Sequence, residues 1–122
     1  MISELKNLLK NSYNPYDNLS FAAIATMKDG TKFNGISIKN ATFRDGLYAE
    51  QIAIARAVTN GYKYGDFEKI SIMVNTDKIS DLKYLDNKVI TEFLEPDARV
   101  ILYTISDDKR VLKVGNLFNN IY

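Results

Sequence analysis

Two hydrophobic spacings alternate along the first third of the chain. Apolar residues three to four positions apart predict a helix over residues 2–12, which Asn14-Pro15 ends. A mostly apolar run predicts a strand over residues 19–27. The polar turn 28–31 follows, and residues 32–38 complete a β-hairpin.

The rest of the chain alternates predicted helices and strands. They comprise a helix over 46–60, a strand over 69–75, a helix over 81–94, strands over 99–105 and 110–114, and a brief helix from Gly115. Helices between the later strands imply parallel crossovers, whereas the first hairpin is antiparallel. The pattern therefore predicts an α/β fold, a three-layer α/β/α sandwich around a mixed five-stranded sheet.

Size and charge narrow the class of protein. The 122 residues predict a single domain over residues 1–122, small enough for homo-oligomerisation to supplement its core. A net charge of +1 without a basic block argues against a nucleic-acid surface. No apolar run approaches the roughly 20 residues that span a membrane, and the first residues lack the apolar region of a signal peptide. We therefore expect no membrane partner and a cytoplasmic location.

The absence of two residue types limits the chemistry most. The chain contains no Cys and no His. A disulfide, a thiol nucleophile, an imidazole base and a zinc site of the usual nitrogen and sulfur ligands are therefore all excluded. Carboxylate sites for Mg²⁺ or Mn²⁺ stay open.

Six segments, in order, resemble the motifs of one known protein family. Residues 14–19 are similar to the family's A-P-Y-S-x-F, residues 29–35 to D-G-x-x-F-x-G, and residues 40–43 to N-A-S-Y. Residues 49–61 follow A-E-R-x-A-I-x-x-A-x-x-x-G, residues 89–93 resemble V-L-x-E-F, and residues 114–118 resemble V-x-E-L-L-P. These motifs are those of the small nucleoside cytidine deaminases, which the chain resembles along nearly its whole length. The resemblance implies the cytidine deaminase fold and a homotetramer.

The zinc-ligand motifs of that family are degenerate here. In the family a zinc ion activates water, and a Glu that does not bind the metal transfers protons. The resemblance puts Glu50 at the proton-transfer position and Tyr48, Lys83 and Asp86 at the three ligand positions. Only Asp86 could contact a metal, and Lys83 would repel one. These departures from the family's motifs therefore predict no metal, no cofactor and the loss of zinc-dependent deamination.

The positions that would bind a nucleoside are degenerate as well. The pyrimidine-stacking Phe of the family corresponds to Leu19, which has no π-face. The ribose-binding N-x-E-N corresponds to residues 37–40, where Ser37 replaces the Asn and Lys39 replaces the carboxylate. An enzyme acting on ordinary cytidine would be expected to keep these contacts.

The vacated site has several interpretations. Glu50 is either a surviving proton shuttle or an ordinary first-turn helix residue, favoured by the helix dipole and paired with Lys83. In the second case the Lys83 ammonium would occupy the space of the zinc. Glu50 and Asp86 could instead hold Mg²⁺ or Mn²⁺, although Lys83 argues against it. We expect Tyr48 to fill the vacated cavity as a core residue rather than to act as a nucleophile.

Three functions agree with these residues. The leading hypothesis is a non-catalytic, cytidine-deaminase-like protein with an oligomeric binding or structural role. The first alternative is an active deaminase or hydrolase that uses a zinc-free site around Glu50. The second is a sensor of a nucleoside-like small molecule.

Overall fold

A computed structural model describes residues 1–15, 19–39, 46–80, 85 and 87–117. Its elements are α1 (Ile2–Leu9), β1 (Phe21–Met27), β2 (Lys32–Ile36), α2 (Ala49–Thr59), β3 (Phe67–Val74), α3 (Asn87–Phe93), β4 (Arg99–Tyr103), β5 (Lys109–Lys113) and a 3-10 turn, Val114–Asn116. The predicted order of helices and strands is confirmed. Most of the predicted segment 81–86, and the chain beyond Leu117, lie outside the described residues.

The five strands form one mixed sheet in the order β2-β1-β3-β4-β5. β1 pairs antiparallel with both β2 and β3, β3 pairs parallel with β4, and β4 pairs antiparallel with β5. The parallel pair is the one that α3 connects, as a crossover requires. The predicted mixed sheet is therefore confirmed.

Strand β1 shows why the chain makes three layers. Ala23 and Ala25 belong to the larger apolar core, to which α2 and α3 contribute. Ala22 and Ile24 belong to a second core on the other side, with Leu5 of α1. Because helices cover both faces, all seven residues of β1 are buried. Six of the seven are apolar, so the strand does not alternate between apolar and polar residues.

Helix α2 packs unusually close to β2. A Cβ atom added at Gly35 would lie 2.0 Å from the backbone oxygen of Ala49. Ala49, Ala53 and Ala57 are fully buried, so small side chains form the packed face of the helix. Leu47 and Val58 lie outside that face and are 49% and 37% exposed. The close approach leaves no room for larger residues there.

Backbone hydrogen bonds to other segments make two helices shorter than the sequence predicted. Helix α1 ends at Leu9, three residues earlier than predicted, because the N–H of Tyr13 donates to Ser37 O at 3.1 Å. Helix α2 begins at Ala49 rather than at residue 46, because Leu47 and Ile38 exchange backbone hydrogen bonds of 2.7 and 2.9 Å. Among the described residues, no helix combines the length and hydropathy needed to cross a membrane.

Candidate functional site

Helices α2 and α3 run in the same direction across the sheet. Beyond the end of α2, the Tyr62 hydroxyl donates to the Asp29 carboxylate at 2.7 Å. Beyond the end of α3, Glu95 accepts from Lys28 Nζ at 2.7 Å. Asp29 and Lys28 share the β1–β2 turn, so both helices end at one edge of the sheet. Both therefore begin at the opposite edge, beyond the carboxyl ends of β3 and β4, where open α/β sheets bind ligands.

Glu50 is the second residue of α2 and is 2% exposed. Its position in the first turn, where the helix dipole favours a carboxylate, confirms that part of the prediction. Glu50 takes part in at least one polar or electrostatic interaction within the protein. The predicted partner, Lys83, lies outside the described residues, as does Asp86. The expected convergence of these residues with Tyr48 therefore stays a prediction.

Tyr48 is the N-cap residue of α2, with an extended backbone at φ −83° and ψ 147°. Its N–H donates to the Gln51 side-chain oxygen at 3.0 Å, which satisfies a backbone donor that the helix leaves free. The prediction that Tyr48 fills the core is wrong, because its side chain is 44% exposed. The neighbouring Ala49 occupies the buried position instead, against Gly35.

Ser37 has a hydroxyl that the protein itself uses. The side chain is 1% exposed, and its oxygen accepts from the Phe21 N–H at 2.9 Å and lies 2.7 Å from the Ser12 hydroxyl. These contacts join the segment after α1 to the start of β1 and to the end of β2. The hydroxyl therefore has a structural role.

Lys39 and Leu19 lie near the same end of β1. The Lys39 ammonium is 6.0 Å from the centroid of the Phe21 ring, within the range of a cation–π contact. Leu19 is half-buried against the larger core. Of the residues predicted to line a nucleoside site, the structure thus brings Ser37 and Lys39 together around Phe21, an aromatic residue that the sequence motifs did not single out.

Asn87 is a polar residue that sequence reasoning missed. It is the first residue of α3 and is 2% exposed. Within the described part of the chain, neither its side-chain nitrogen nor its side-chain oxygen has a hydrogen-bond partner. Its backbone oxygen does accept a bond, from the Thr91 hydroxyl at 2.8 Å. An Asn before an apolar helical run is typical of an N-cap. The sequence predicted a start of this helix at residue 81, so Asn87 was not recognised as a possible N-cap residue.

The sequence matches the model of one protein family over most of its length. Residues 3–84 match the cytidine and deoxycytidylate deaminase zinc-binding region. The chain belongs to this family. The family resemblance inferred from the motifs is therefore confirmed.

Individual members of the cytidine deaminase family agree with that assignment. The chain is 26% identical to the cytidine deaminase of Sporosarcina psychrophila over 96% of its own length and 85% of that protein. It is 34% identical to the cytidine deaminase of Mycoplasma genitalium over 55% of its length and 51% of that protein. The solved cytidine deaminase of Burkholderia pseudomallei superposes with a TM-score of 0.84 at 28% identity, covering 95% of this chain and 91% of that one.

The residues of this family member do not fit the zinc ion that the matched region is described as binding. Zinc sites of this kind use Cys sulfur and His nitrogen, and the chain has neither residue. Tyr48 caps a helix, and Glu50 is a single carboxylate. Within residues 1–15, 19–39, 46–80, 85 and 87–117, no three acidic, His or Cys side chains form a group that could hold a metal. The donor set therefore excludes a zinc site of nitrogen and sulfur ligands.

Proposed function

We propose that this protein is a non-catalytic member of the cytidine deaminase family, retained for an oligomeric binding role. The observation that carries the proposal is the residue at the first zinc-ligand position. That residue is Tyr48, an exposed helix cap, in a chain without Cys or His. A cytoplasmic location stays a prediction.

The chemistry of Glu50 supports this proposal. A carboxylate can accept a proton, but it does not lower the pKa of water to near 7, as a bound zinc ion does. Without that activation, Glu50 would have to take a proton from ordinary water, whose pKa lies far above that of an ordinary carboxyl group. We therefore expect no deamination of cytidine.

The test combines elemental analysis with a deamination assay on purified, tag-free protein. We expect no stoichiometric zinc and no release of uridine or ammonia from cytidine. Two variants identify the origin of any activity: Glu50→Gln, and Glu68→Gln as a matched control at an exposed position of β3. Uridine formed by the wild type and by Glu68→Gln, but not by Glu50→Gln, would establish the zinc-free enzyme and refute the proposal.

An exposed apolar row supports oligomerisation. Tyr13 and Ile38 form a parallel bridge, and Ile38 and Leu47 form an antiparallel one, so the three residues lie side by side. They are 55%, 37% and 49% exposed. Tyr48, also exposed, is adjacent in sequence. A contiguous apolar surface of this kind is typical of a contact with another protein, and we assign it to a second copy of this chain in a tetramer.

Light scattering at micromolar concentration tests the assembly. We expect the mass of a tetramer for the wild type and a smaller mass for Leu47→Glu, which puts a charge into the apolar row. Val111→Glu is the matched control, because Val111 is 50% exposed on β5, the outermost strand on the side of the sheet away from β2. A wild-type protein of monomer mass would refute the oligomeric part of the proposal.

A further inference from the structure

Strand β5 is the outermost strand on the side of the sheet away from β2. It pairs with β4 over five residues without a register shift, and it contains no proline. Proline and irregular pairing are features that keep an outermost strand from accepting another strand. Among the residues that the structure describes, no segment pairs with the outer side of β5. That side is therefore a regular template for a further strand.

The hydrogen bonds at the two ends of the β4–β5 pairing show which backbone groups point outwards. The Val114 N–H donates to Ala98 O at 2.9 Å, and the Thr104 N–H donates to Asp108 O at 3.0 Å. Bonded and non-bonded pairs alternate along an antiparallel ladder. The odd-numbered residues of β5 are therefore the non-bonded ones, and their N–H groups point away from β4.

These odd-numbered residues are Lys109, Val111 and Lys113, and all three side chains are exposed. Val111, which is 50% exposed, lies directly opposite Ile101 of the core beneath α1. Because alternate side chains of a strand share a face, both lysines lie on this face as well. A strand added to β5 would thus meet a cation, a valine and a second cation.

The cation at one end of β5 belongs to a longer row of positive charges. Lys113 lies directly opposite Arg99, and Arg99 lies directly opposite Lys69. Like charges in such positions destabilise a sheet. Glu68 and Asp97 line a cleft with Arg99, but no ion pair within the described part of the chain involves any of the three cations. A carboxylate on an added strand, opposite Lys113, would reduce this repulsion.

We propose that β5 is a docking site for an extended, acidic segment of another protein, which adds to the sheet as an antiparallel strand. Main-chain hydrogen bonds to the outward N–H groups supply affinity, and alternate side chains supply specificity. The segment carries acidic residues opposite Lys109 and Lys113 and an apolar residue opposite Val111, because such cross-strand pairs are stabilising. The proposal requires neither the absence of catalysis nor the tetramer.

A second copy of this chain fits β5 poorly. Antiparallel pairing of two β5 strands about Val111 would place Lys109 of each copy opposite Lys113 of the other. Two pairs of like charges would then face each other, which is unfavourable. The charge of the strand therefore selects an acidic partner over a second copy.

Calorimetry at low salt with a designed peptide tests the docking. The probe is the acetylated and amidated peptide T-E-T-V-T-E-T, whose valine would lie opposite Val111. We expect it to bind the wild type, and T-K-T-V-T-K-T to bind at least about tenfold more weakly. N-methylation of the peptide's valine removes an N–H that would pair with β5, so binding should fall at least about tenfold. N-methylation of the threonine that follows, whose N–H would point away from β5, should have a smaller effect.

Val111→Pro is the matching change in the protein. Proline is tolerated in an outermost strand where the N–H faces solvent, so the variant should fold while binding the acidic peptide at least about tenfold more weakly. Val111→Thr keeps the N–H and should lose less. Lys113→Gln should weaken binding and reduce its salt dependence, whereas Lys32→Gln, on the other outermost strand, should change neither. If Val111→Pro does not fold, the N-methylated peptides carry the test.

Three binding results would overturn the proposal: no binding of the acidic peptide by the wild type, equal binding of the peptide N-methylated at its valine, or equal binding by a folded Val111→Pro. The first would leave the lysines only the role of preventing aggregation through β5. A smaller mass of Val111→Pro than of the wild type in light scattering would also overturn it, because a second copy would then occupy β5.

Discussion

The polar side chains at the two edges of the sheet differ in burial. At the edge with the β1–β2 turn, Asp29, Tyr62, Lys28 and Glu95 lie at the surface and are paired with one another. At the edge where α2 and α3 begin, Glu50 and Asn87 are each 2% exposed, and Ser37 is 1% exposed. The Ser37 hydroxyl is bonded within the protein, whereas the Asn87 amide has no hydrogen-bond partner among the residues that the structure describes.

This difference separates groups that serve the fold from groups that the fold does not explain. A polar side chain at the surface costs little, because water solvates whatever the protein leaves unpaired. A buried one costs stability unless it is bonded. The surface pairs at the turn edge therefore need no functional explanation, whereas the buried side chains of Thr26 at that edge and of Asn87 at the other reduce stability. Functional sites commonly retain such destabilising features.

The largest expected effect comes from separating α2 from the sheet. In Gly35→Ala the new Cβ would meet backbone atoms of Ala49 and Ala53 at 2.0 and 2.6 Å, which no side-chain rotation can relieve. We expect a loss of at least about 3 kcal/mol in the free energy of unfolding, measured with urea. Asn34→Ala, at an exposed neighbouring position, should change it by less than about 0.5 kcal/mol. Similar values for the two variants would mean that the close approach is not needed.

Ser37→Ala tests whether the site edge contains structural polar groups as well as functional ones. The variant leaves the Phe21 N–H without its 2.9 Å partner in a buried position. We expect a loss of about 1–3 kcal/mol by urea unfolding. Ser12→Ala keeps the bond between Ser37 and Phe21, so its loss should be smaller. An equal or larger loss in Ser12→Ala would show that the Ser12 contact is the important one.

The smallest effect is expected at the turn edge and depends on pH. The Thr31 N–H, and then the Tyr62 hydroxyl, lower the pKa of Asp29 below its ordinary value of 3.8. The ionised carboxylate therefore stabilises the fold above the unfolded pKa, and this contribution is lost as pH falls through the lower, folded pKa. Tyr62→Phe should weaken the acid-induced fall in Tm between about pH 5 and about pH 2.

Tyr64→Phe is the control for this pH dependence, because Tyr64 is 55% exposed. It should behave as the wild type at every pH. If Tyr62→Phe also follows the wild-type profile, the Tyr62 hydroxyl does not stabilise the ionised Asp29.

Local patterns made much of the fold predictable. The apolar run of β1 and the turn with Gly30, which has a φ of +93°, are encoded by adjacent residues. The family was predictable because its motifs occur in order along the chain. The absence of zinc ligands of the usual kind was predictable because a chain without Cys and His cannot supply them in any fold.

The tertiary structure decided which side chains are buried at the site. The sequence predicted a buried Tyr48, but the close packing of Ala49 on Gly35 leaves Tyr48 exposed. The sequence assigned no role to Asn87, because its burial depends on how α3 packs against α2. The chain alone determined which chemical groups are available, since composition does not depend on conformation. Only the packing of distant segments determined which of those groups lose contact with water and need a partner.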